Sequence, residues 1–287
     1  MSEAPRPTPG ESPRPALPAD AGDLPPAGSA FDSVLARALD ELALDLTPGM
    51  RAGIEAQARL LVAWSPSVNL TAIRDPGAIA LEHVADSLAA VPALLDRLAA
   101  RRPPRRPVGL LDLGSGAGYP GLPVALAIPV AHATLVDSIA RKAAFLETVA
   151  AAAERASRTA GEEPPTVRVI RARAEELGRA PDQRNHWEIV TARAVAALPL
   201  LAELALPLVR PGGLFVAWKR DGGDGAFAAE IAAVVPLLEE LGADPSPVVE
   251  PVRLTGLLDH RLVFITKRRA TPERWPRRVP GRRRLLP

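Results

Sequence analysis

The sequence predicts an α/β protein in which a helical cap precedes a seven-stranded, doubly wound sheet. Two observations support this prediction. From residue 108 onward, short apolar runs alternate with stretches whose apolar residues recur at helical spacing, as in a mainly parallel sheet flanked by helices. Between residues 31 and 100 the apolar residues recur at helical spacing. The 287 residues include no cysteine, which excludes disulfides and thiolate metal sites, and no uninterrupted apolar run of about 18 residues that would span a membrane.

Composition divides the chain into five parts. Residues 1–30 contain eight prolines and few apolar residues, and we expect them to be disordered. Residues 31–100 form the helical cap, 101–107 an arginine- and proline-rich linker, 108–266 the α/β core, and 267–287 a basic tail. No secretory leader is recognisable, so we expect a cytoplasmic protein.

The cap is predicted to contain three helices. They cover residues 31–46, 48–64 and 78–98, where apolar side chains follow the helical period. Thr47 and Pro48 suit the N-cap and first position of the second helix. A turn is expected at residues 65–67, which contain a proline between two serines.

The core is predicted to contain seven strands. The last two alternate apolar and polar residues, and we expect them to pair antiparallel at one edge of the sheet. The predicted strands are residues 108–113, 133–137, 166–170, 187–190, 214–218, 248–254 and 260–266.

A glycine turn follows the first predicted strand. Asp112 lies near the end of this strand, and Gly114, Gly116 and Gly118 occupy alternate positions after it. Glycine lets the backbone turn tightly and approach a ligand, and a strand, a turn and a helix start form a nucleotide-type pocket. The spacing G-x-G-x-G differs from the dinucleotide fingerprint G-x-G-x-x-G. It resembles instead the first motif of class I methyltransferases, which bind S-adenosylmethionine, although an ordinary strand-to-helix loop can have the same composition.

Two further positions suit this cofactor. Asp137 ends the second predicted strand, 25 residues after Asp112, where a carboxylate can accept both ribose hydroxyls. Its alternative role is to cap the next helix. Ala174 and Glu175 follow the third strand, where the Ala174 N–H and the Glu175 side chain could read the adenine edge. The alternative there is an ordinary helix start with acids favoured by the helix dipole.

Two features that the chain lacks restrict the chemical class of the methyl acceptor. Methylation at pyrimidine C5 generally uses a cysteine nucleophile, which is absent. The segment Thr191–Ala194 lacks the Pro-Pro-aromatic loop that exocyclic-amine methyltransferases carry after strand four. A ring nitrogen such as guanine N7 needs no proton removed, so catalysis would rest on positioning. Arg193 is the candidate catalytic residue, either positioning substrate or cofactor or forming a salt bridge.

The charge distribution favours a polyanionic partner. Residues 267–287 hold nine basic side chains against one acidic, a net charge of +8, while the rest of the chain is net −6. Such a block suits nucleic acid, although it could also be a solvated tail. Lys219, Arg277 and Arg278 are the candidate substrate contacts.

The motifs together resemble the bacterial small-subunit rRNA guanine-N7 methyltransferases, the RsmG or glucose-inhibited division protein B family. The matching segments cover about residues 45–285 in order and are Trp64…Asn69–Asp75, His83-x-x-Asp86-Ser87, Asp112–Pro123, Asp137-Ser138, Arg173–Glu176, Arg193-Ala194, Lys219 and Thr271–Arg278. The resemblance implies methylation of N7 of one guanosine in the decoding-region stem-loop of 16S rRNA, alone or in the small ribosomal subunit. The resemblance also implies contacts with S-adenosylmethionine at Gly114, Tyr119, Ala174, Glu175 and Arg193. The four scattered histidines lack H-x-x-x-H spacing, so we expect no metal, and we expect a monomer.

Three positions depart from the family pattern, namely Ser65, Tyr119 and Arg220. Asn69 and His83 either brace the cap or line the guanine entrance. Two other functions stay open from the sequence. One is a small-molecule methyltransferase that also uses S-adenosylmethionine, and the other is a non-catalytic RNA-binding or cell-division factor with a vestigial pocket.

Overall fold

The computed structural model describes residues 17–100 and 108–277 and confirms the α/β fold. The seven strands form one sheet in the order β3-β2-β1-β4-β5-β7-β6. β1 to β5 are parallel, and β7 lies antiparallel between β5 and β6. The strands are β1 Gly109–Leu113, β2 His132–Asp137, β3 Thr166–Arg171, β4 Trp187–Arg193, β5 Val209–Arg220, β6 Val248–Pro251 and β7 His260–Thr266.

Helices cover both faces of the sheet, and each face has its own apolar core. Neighbouring strand residues such as Leu110 and Leu111 belong to different cores because side chains alternate across a strand. β1 and β4 are buried at nearly every position, because both faces of the sheet are covered. The cap contains α1 Ser29–Glu41, α2 Pro48–Val68, α3 Pro76–Ala78, the π-helix Ile79–Ala85, α4 Asp86–Leu88 and α5 Val91–Ala99, and the core contains α6 Gly121–Ala127, α7 Ala140–Thr159, α8 Ala174–Leu177, α9 Leu198–Ala205 and α10 Ala226–Glu240.

The second cap helix runs further than predicted. The turn expected at residues 65–67 is wrong, because α2 continues to Val68 and includes Pro66. Trp64 and Ser65 are buried, so packing favours one more helical turn at this end. Asn69 ends the helix in the left-handed conformation, at φ 54° and ψ 54°.

The expected disorder of residues 1–30 is wrong for the part that the structure describes. Ala21 is buried, the Trp64 indole N–H donates to the Pro18 carbonyl at 2.8 Å, and Arg155 donates to the Ala19 carbonyl at 3.0 Å. Side-chain donors on α2 and α7 thus bond to backbone carbonyls of an extended segment that lacks its own secondary structure. Helix α1 then begins at Ser29. Residues 1–16 and the linker 101–107 lie outside the described residues, and the remaining domain division stays a prediction.

The predicted basic tail is folded over its first eleven residues. Lys267 and Trp275 are buried, and Arg184 donates to the carbonyls of Thr271 and Trp275 at 2.8 and 2.7 Å. A guanidinium can satisfy several carbonyls of an irregular segment at once, which holds residues 267–277 against the core. Residues 278–287 lie outside the described part of the chain.

Within residues 17–100 and 108–277, one helical stretch has the length and composition of a membrane span. It covers Pro76–Ala99, with a mean hydropathy of 1.5. In the protein 56% of this apolar window is buried, as in a core helix.

Candidate active site

The glycine turn after β1 has the geometry that its sequence predicts. Gly114, Gly116 and Gly118 all have positive φ, at 72°, 58° and 83°. Ser115 fastens the turn to the neighbouring strand, since its N–H donates to the Val136 carbonyl at 2.8 Å and its hydroxyl accepts the Val136 N–H at 3.1 Å. The turn is therefore held against the end of β2.

Asp137 closes this turn from the end of β2. Its carboxylate accepts the N–H of Gly116 at 3.1 Å and the N–H of Ile139 at 2.8 Å. The side chain thus orders the glycine turn and the start of the following segment together. Each carboxylate oxygen can accept more than one hydrogen bond, so a ribose contact remains compatible with these two.

A cavity of about 370 Å³ opens beside the turn, at the carboxyl ends of β1 to β4. This volume falls within the roughly 300–1,000 Å³ of small-molecule sites. Asp137 supplies a carboxylate to its wall, and the aliphatic side chains of Ile139, Leu200 and Leu204 supply an apolar surface. A nucleoside has a polar ribose and a flat apolar base, so the walls fit the predicted cofactor. The lining residues are Leu113, Gly114, Val136, Asp137, Ser138, Ile139, Ala172, Arg173, Ala174, Glu175, Ala194, Val195, Ala196, Leu200 and Leu204.

The structure brings four of the predicted cofactor residues to this cavity. Gly114, Asp137, Ala174 and Glu175 line it, although they come from three separate segments of the chain. Gly118 instead faces the cap, since a Cβ there would lie 2.7 Å from the Gln57 side-chain nitrogen.

Asp112 lies beneath the turn. It is fully buried, and the Thr191 hydroxyl donates to it at 2.7 Å. Burial raises the pKa of this carboxyl, while hydrogen bonds from Thr191, Ser115 and Gly121 oppose that rise. A Cβ on Gly121 would lie 2.4 Å from the Asp112 Cβ, so glycine is required there for α6 to approach β1.

Arg193, at the end of β4, is held by the cap. Its guanidinium donates to the Asp86 carboxylate at 2.8 Å and to the Glu82 carbonyl at 2.9 Å. The other oxygen of Asp86 lies 2.7 Å from Nδ1 of His260, and the Trp218 indole donates to the Asp86 carbonyl at 2.7 Å. One cap residue thus joins β4, β5 and β7, and the salt-bridge role of Arg193 is present.

Sequence reasoning missed Asp86 and His260 as a pair. The spacing His83-x-x-Asp86 was visible, but a partner 174 residues away is visible only in the structure. A π-helix at Ile79–Ala85 leads into Asp86, and such segments are frequent at functional sites.

Tyr119 connects this cluster to the glycine turn. Its ring stacks on His83, with 5.1 Å between centroids and 21° between planes, and the Arg193 guanidinium lies 5.8 Å from its centroid. Burial and the nearby Arg193 cation lower the pKa of His83 to about 4, and burial raises the pKa of Tyr119. His83 is therefore neutral at pH 7, and Thr71 lies within hydrogen-bond distance of its ring at 2.8 Å.

The predicted substrate cations lie elsewhere. The Lys219 ammonium lies 2.6 Å from the Glu230 carboxylate, and Arg277 binds the Glu203 carboxylate at 2.6 Å. Neither residue lines the cavity, and Arg278 lies outside the described residues. In residues 17–100 and 108–277, no cluster of three His, Asp or Glu side chains could hold a metal.

This fold and this site define a class I methyltransferase that uses S-adenosylmethionine. The family model for rRNA small subunit methyltransferase G matches residues 51–224, more than half of the chain. The chain belongs to this family.

Curated relatives support the same assignment. Ribosomal RNA small subunit methyltransferase G of Chloroflexus aggregans is 42% identical over 228 residues, covering 78% of this chain and 86% of the relative. The protein of that name from Bacillus subtilis is 33% identical over 246 residues, covering 85% and 92%. Among solved structures, the T. thermophilus 16S rRNA N2 G1207 methyltransferase matches with a TM-score of 0.35 and 18% identity, over 63% of this chain and 40% of that one.

Proposed function

We propose that this protein transfers the methyl group of S-adenosylmethionine to N7 of one guanosine in the decoding-region stem-loop of 16S rRNA. The observation that carries the proposal is the glycine turn closed by Asp137 beside a nucleoside-sized cavity, in a chain of this family. The RNA acceptor follows the names of the curated relatives. Such an enzyme would work as a monomer in the cytoplasm, where 16S rRNA is found.

The cavity residues hold the cofactor in this proposal. Asp137 would accept hydrogen bonds from the ribose hydroxyls, using the lone pairs that are not engaged by the N–H groups of Gly116 and Ile139. Ala174 and Glu175 contact the adenine, and the backbone of Gly114 and Gly116 lies against the rest of the cofactor. On the cap side, Tyr119 stacks on His83 and Gly118 lies against Gln57 of α2, and these contacts fix the turn.

S-adenosylmethionine, when bound, supplies a methyl group on a positively charged sulfur. Guanine N7 carries its own lone pair, so the C–N bond forms and the C–S bond breaks without a proton being removed. The protein therefore needs to align donor and acceptor and to exclude water, and needs no general base. The neutral His83 and the salt-bridged Arg193 are consistent with positioning rather than proton transfer.

On the RNA side, the basic residues from Arg278 onward are the proposed polyanion contact. They include Arg282, Arg283 and Arg284, which follow a segment that is anchored to the core as far as Arg277.

Methylation of 16S rRNA and of small subunits by the pure protein tests the proposal. Labelled S-adenosylmethionine should mark one guanosine, and borohydride reduction followed by aniline should cleave the RNA there, as expected for N7-methylguanosine. Label on another base atom would contradict the proposal. The small-molecule alternative predicts no methylation of either RNA substrate, whereas the proposal predicts methylation that falls strongly when residues 278–287 are removed.

A further inference from the structure

Helix α9 forms one wall of the cofactor cavity. Leu200 and Leu204 face the cavity, and residues 194–196, which precede the helix, line it as well. Val195 lies so close to the glycine turn that a Cβ on Gly114 would be 2.6 Å from its Cγ2. The width of the cavity therefore depends on where α9 and its leading loop are held.

The N-terminal end of α9 is fixed by two charged side chains from other elements. Ala197 is the N-cap and has no side-chain acceptor for the free N–H groups of the first turn. Glu230 of α10 takes this role, since it accepts the Leu198 N–H at 2.8 Å. Lys219 at the end of β5 lies 2.6 Å from the Glu230 carboxylate and donates to the Ala196 carbonyl at 3.4 Å. The Lys219 side chain is only 13% exposed, so its ammonium is paired within the protein and largely shielded from solvent.

The C-terminal end of α9 is fixed by the segment that follows β7. Glu203 on α9 has a side chain only 3% exposed, and Arg277 meets it with both its backbone N–H and its guanidinium. Such paired bonds set direction as well as distance. Lys267 also donates to the Leu206 carbonyl at the helix end.

We propose that Lys219 and Arg277 are positioning residues for the cofactor pocket, which hold the two ends of α9, and that they do not act as RNA contacts. This inference rests on the proposed function to the extent that it places S-adenosylmethionine in this cavity. From sequence, both cations are candidate nucleic-acid contacts. In the structure each forms an ion pair with a carboxylate, Glu230 or Glu203, that contacts or belongs to α9.

The test is calorimetric titration of S-adenosylmethionine into the full-length protein without RNA. Lys219→Met and Arg277→Met should each weaken cofactor binding roughly three- to thirtyfold, because each removes one partner of an ion pair that holds α9. Binding of a 16S rRNA fragment in the absence of cofactor should change less than twofold.

The chain offers a matched control for each variant. Arg220 is next to Lys219, but it is 65% exposed and pairs with Asp259 at the surface. Arg274 is close to Arg277 and about as exposed, at 63% against 70%, but its partner Glu240 is exposed whereas Glu203 is only 3% exposed. Arg220→Met and Arg274→Met remove the same charges and should leave cofactor affinity within about twofold of wild type.

Two additional measurements separate positioning from a general loss of structure. Lys219→Arg should restore most of the cofactor affinity, because a guanidinium can reach the same carboxylate. The double variant Lys219→Met/Glu230→Gln should weaken binding no more than Lys219→Met, because the two side chains act as one unit. In Lys219→Met, hydrogen exchange should be faster in peptides covering residues 194–206 and unchanged in the rest of the protein.

The outcomes are distinguishable. If Lys219→Met folds, binds the cofactor like wild type and loses RNA affinity, the inference is overturned and Lys219 is an RNA contact. If Lys219→Met does not fold, Arg277→Met decides in the same way. If wild type itself does not bind S-adenosylmethionine, the proposed function fails first.

Discussion

Two glycine-rich loops follow parallel strands of this sheet, and they differ in almost everything except composition. Gly114–Gly118 after β1 is packed against α2 and bonded to the end of β2 through Ser115 and Asp137. Asp221–Gly225 after β5 is exposed over most of its length and is bonded chiefly by its own aspartates. Glycine content alone therefore does not distinguish the loop at the cofactor cavity. What distinguishes it is the Asp137 carboxylate, which the neighbouring strand β2 supplies.

The arginines at the ends of β4 and β5 show the same contrast. Arg193 is 17% exposed and its partner Asp86 2%, at 2.8 Å, whereas Arg220 is 65% exposed and its partner Asp259 42%, at 3.0 Å. Similar distances thus describe one pair that is removed from water and another that is solvated. The difference should be visible in stability, because exposed pairs contribute little and broken buried pairs leave a charge without a partner.

The largest expected effect separates these two arginine pairs. Asp86→Ala should lower the free energy of unfolding by about 3 kcal/mol, because Arg193 and His260 both lose a partner. Asp259→Ala should lower it by less than about 1 kcal/mol. Urea denaturation of the two variants measures the difference, and equal midpoints would show that the cap is not held through Asp86.

The next prediction compares the two loops directly. Gly114→Ala and Gly223→Ala place the same methyl group at nearly the same φ, 72° and 75°, so both should lose roughly 1–2 kcal/mol of stability. Only Gly114 has a neighbour in the way, Val195, and nothing lies within 4 Å of a Cβ on Gly223. Calorimetry should show cofactor affinity reduced roughly ten- to hundredfold for Gly114→Ala alone. Equal affinities would place the cofactor elsewhere.

A smaller effect is expected from the acids that close the loops. Asp137→Ala removes the acceptor of Gly116 and Ile139, and cofactor affinity should fall about tenfold. Asp221→Ala removes the acceptor of Gly223 and the ion pair with Arg261, and cofactor affinity should not change. A loss of the same size in both variants would mean that Asp137 acts only through general stability.

The last comparison concerns a buried cation and pH. Lys267 is fully buried and its ammonium donates to the Leu206 carbonyl and the Thr271 hydroxyl, and burial with the nearby Arg184 lowers its pKa to about 7. Above pH 7 the unfolded chain holds a proton there that the folded chain lacks, so stability should rise with pH toward 10.5 and be lost as pH falls through 7. Relative to Lys267→Met, the slope of the unfolding free energy should reach at most about 1.4 kcal/mol per pH unit. Parallel curves for the two proteins from pH 7 to 9 would contradict the lowered pKa.

Much of the fold was predictable because its signals are local. The strands were located within a few residues, since apolar runs and glycine turns report burial and backbone conformation directly. The ordered segment 17–28 and the folded part of the tail were not predictable. Their backbone is satisfied by Trp64, Arg155 and Arg184, which are distant in sequence.

The candidate site divides in the same way. Gly114, Asp137, Ala174 and Glu175 were predicted from their places at strand ends, and parallel strands bring their carboxyl ends to one edge. Charge alone assigns Lys219 and Arg277 to RNA, because no local pattern indicates that the carboxylates of Glu230 and Glu203 pair with them.

By itself the sequence determined the sheet, the glycine turn and the family. The tertiary structure alone decided which charges are buried with a partner and which are solvated, as the contrast of Arg193 with Arg220 shows. The physical reason is that backbone preferences are written in neighbouring residues. The environment of a charge depends instead on burial and on partners that are distant in sequence, as Asp86 is from Arg193.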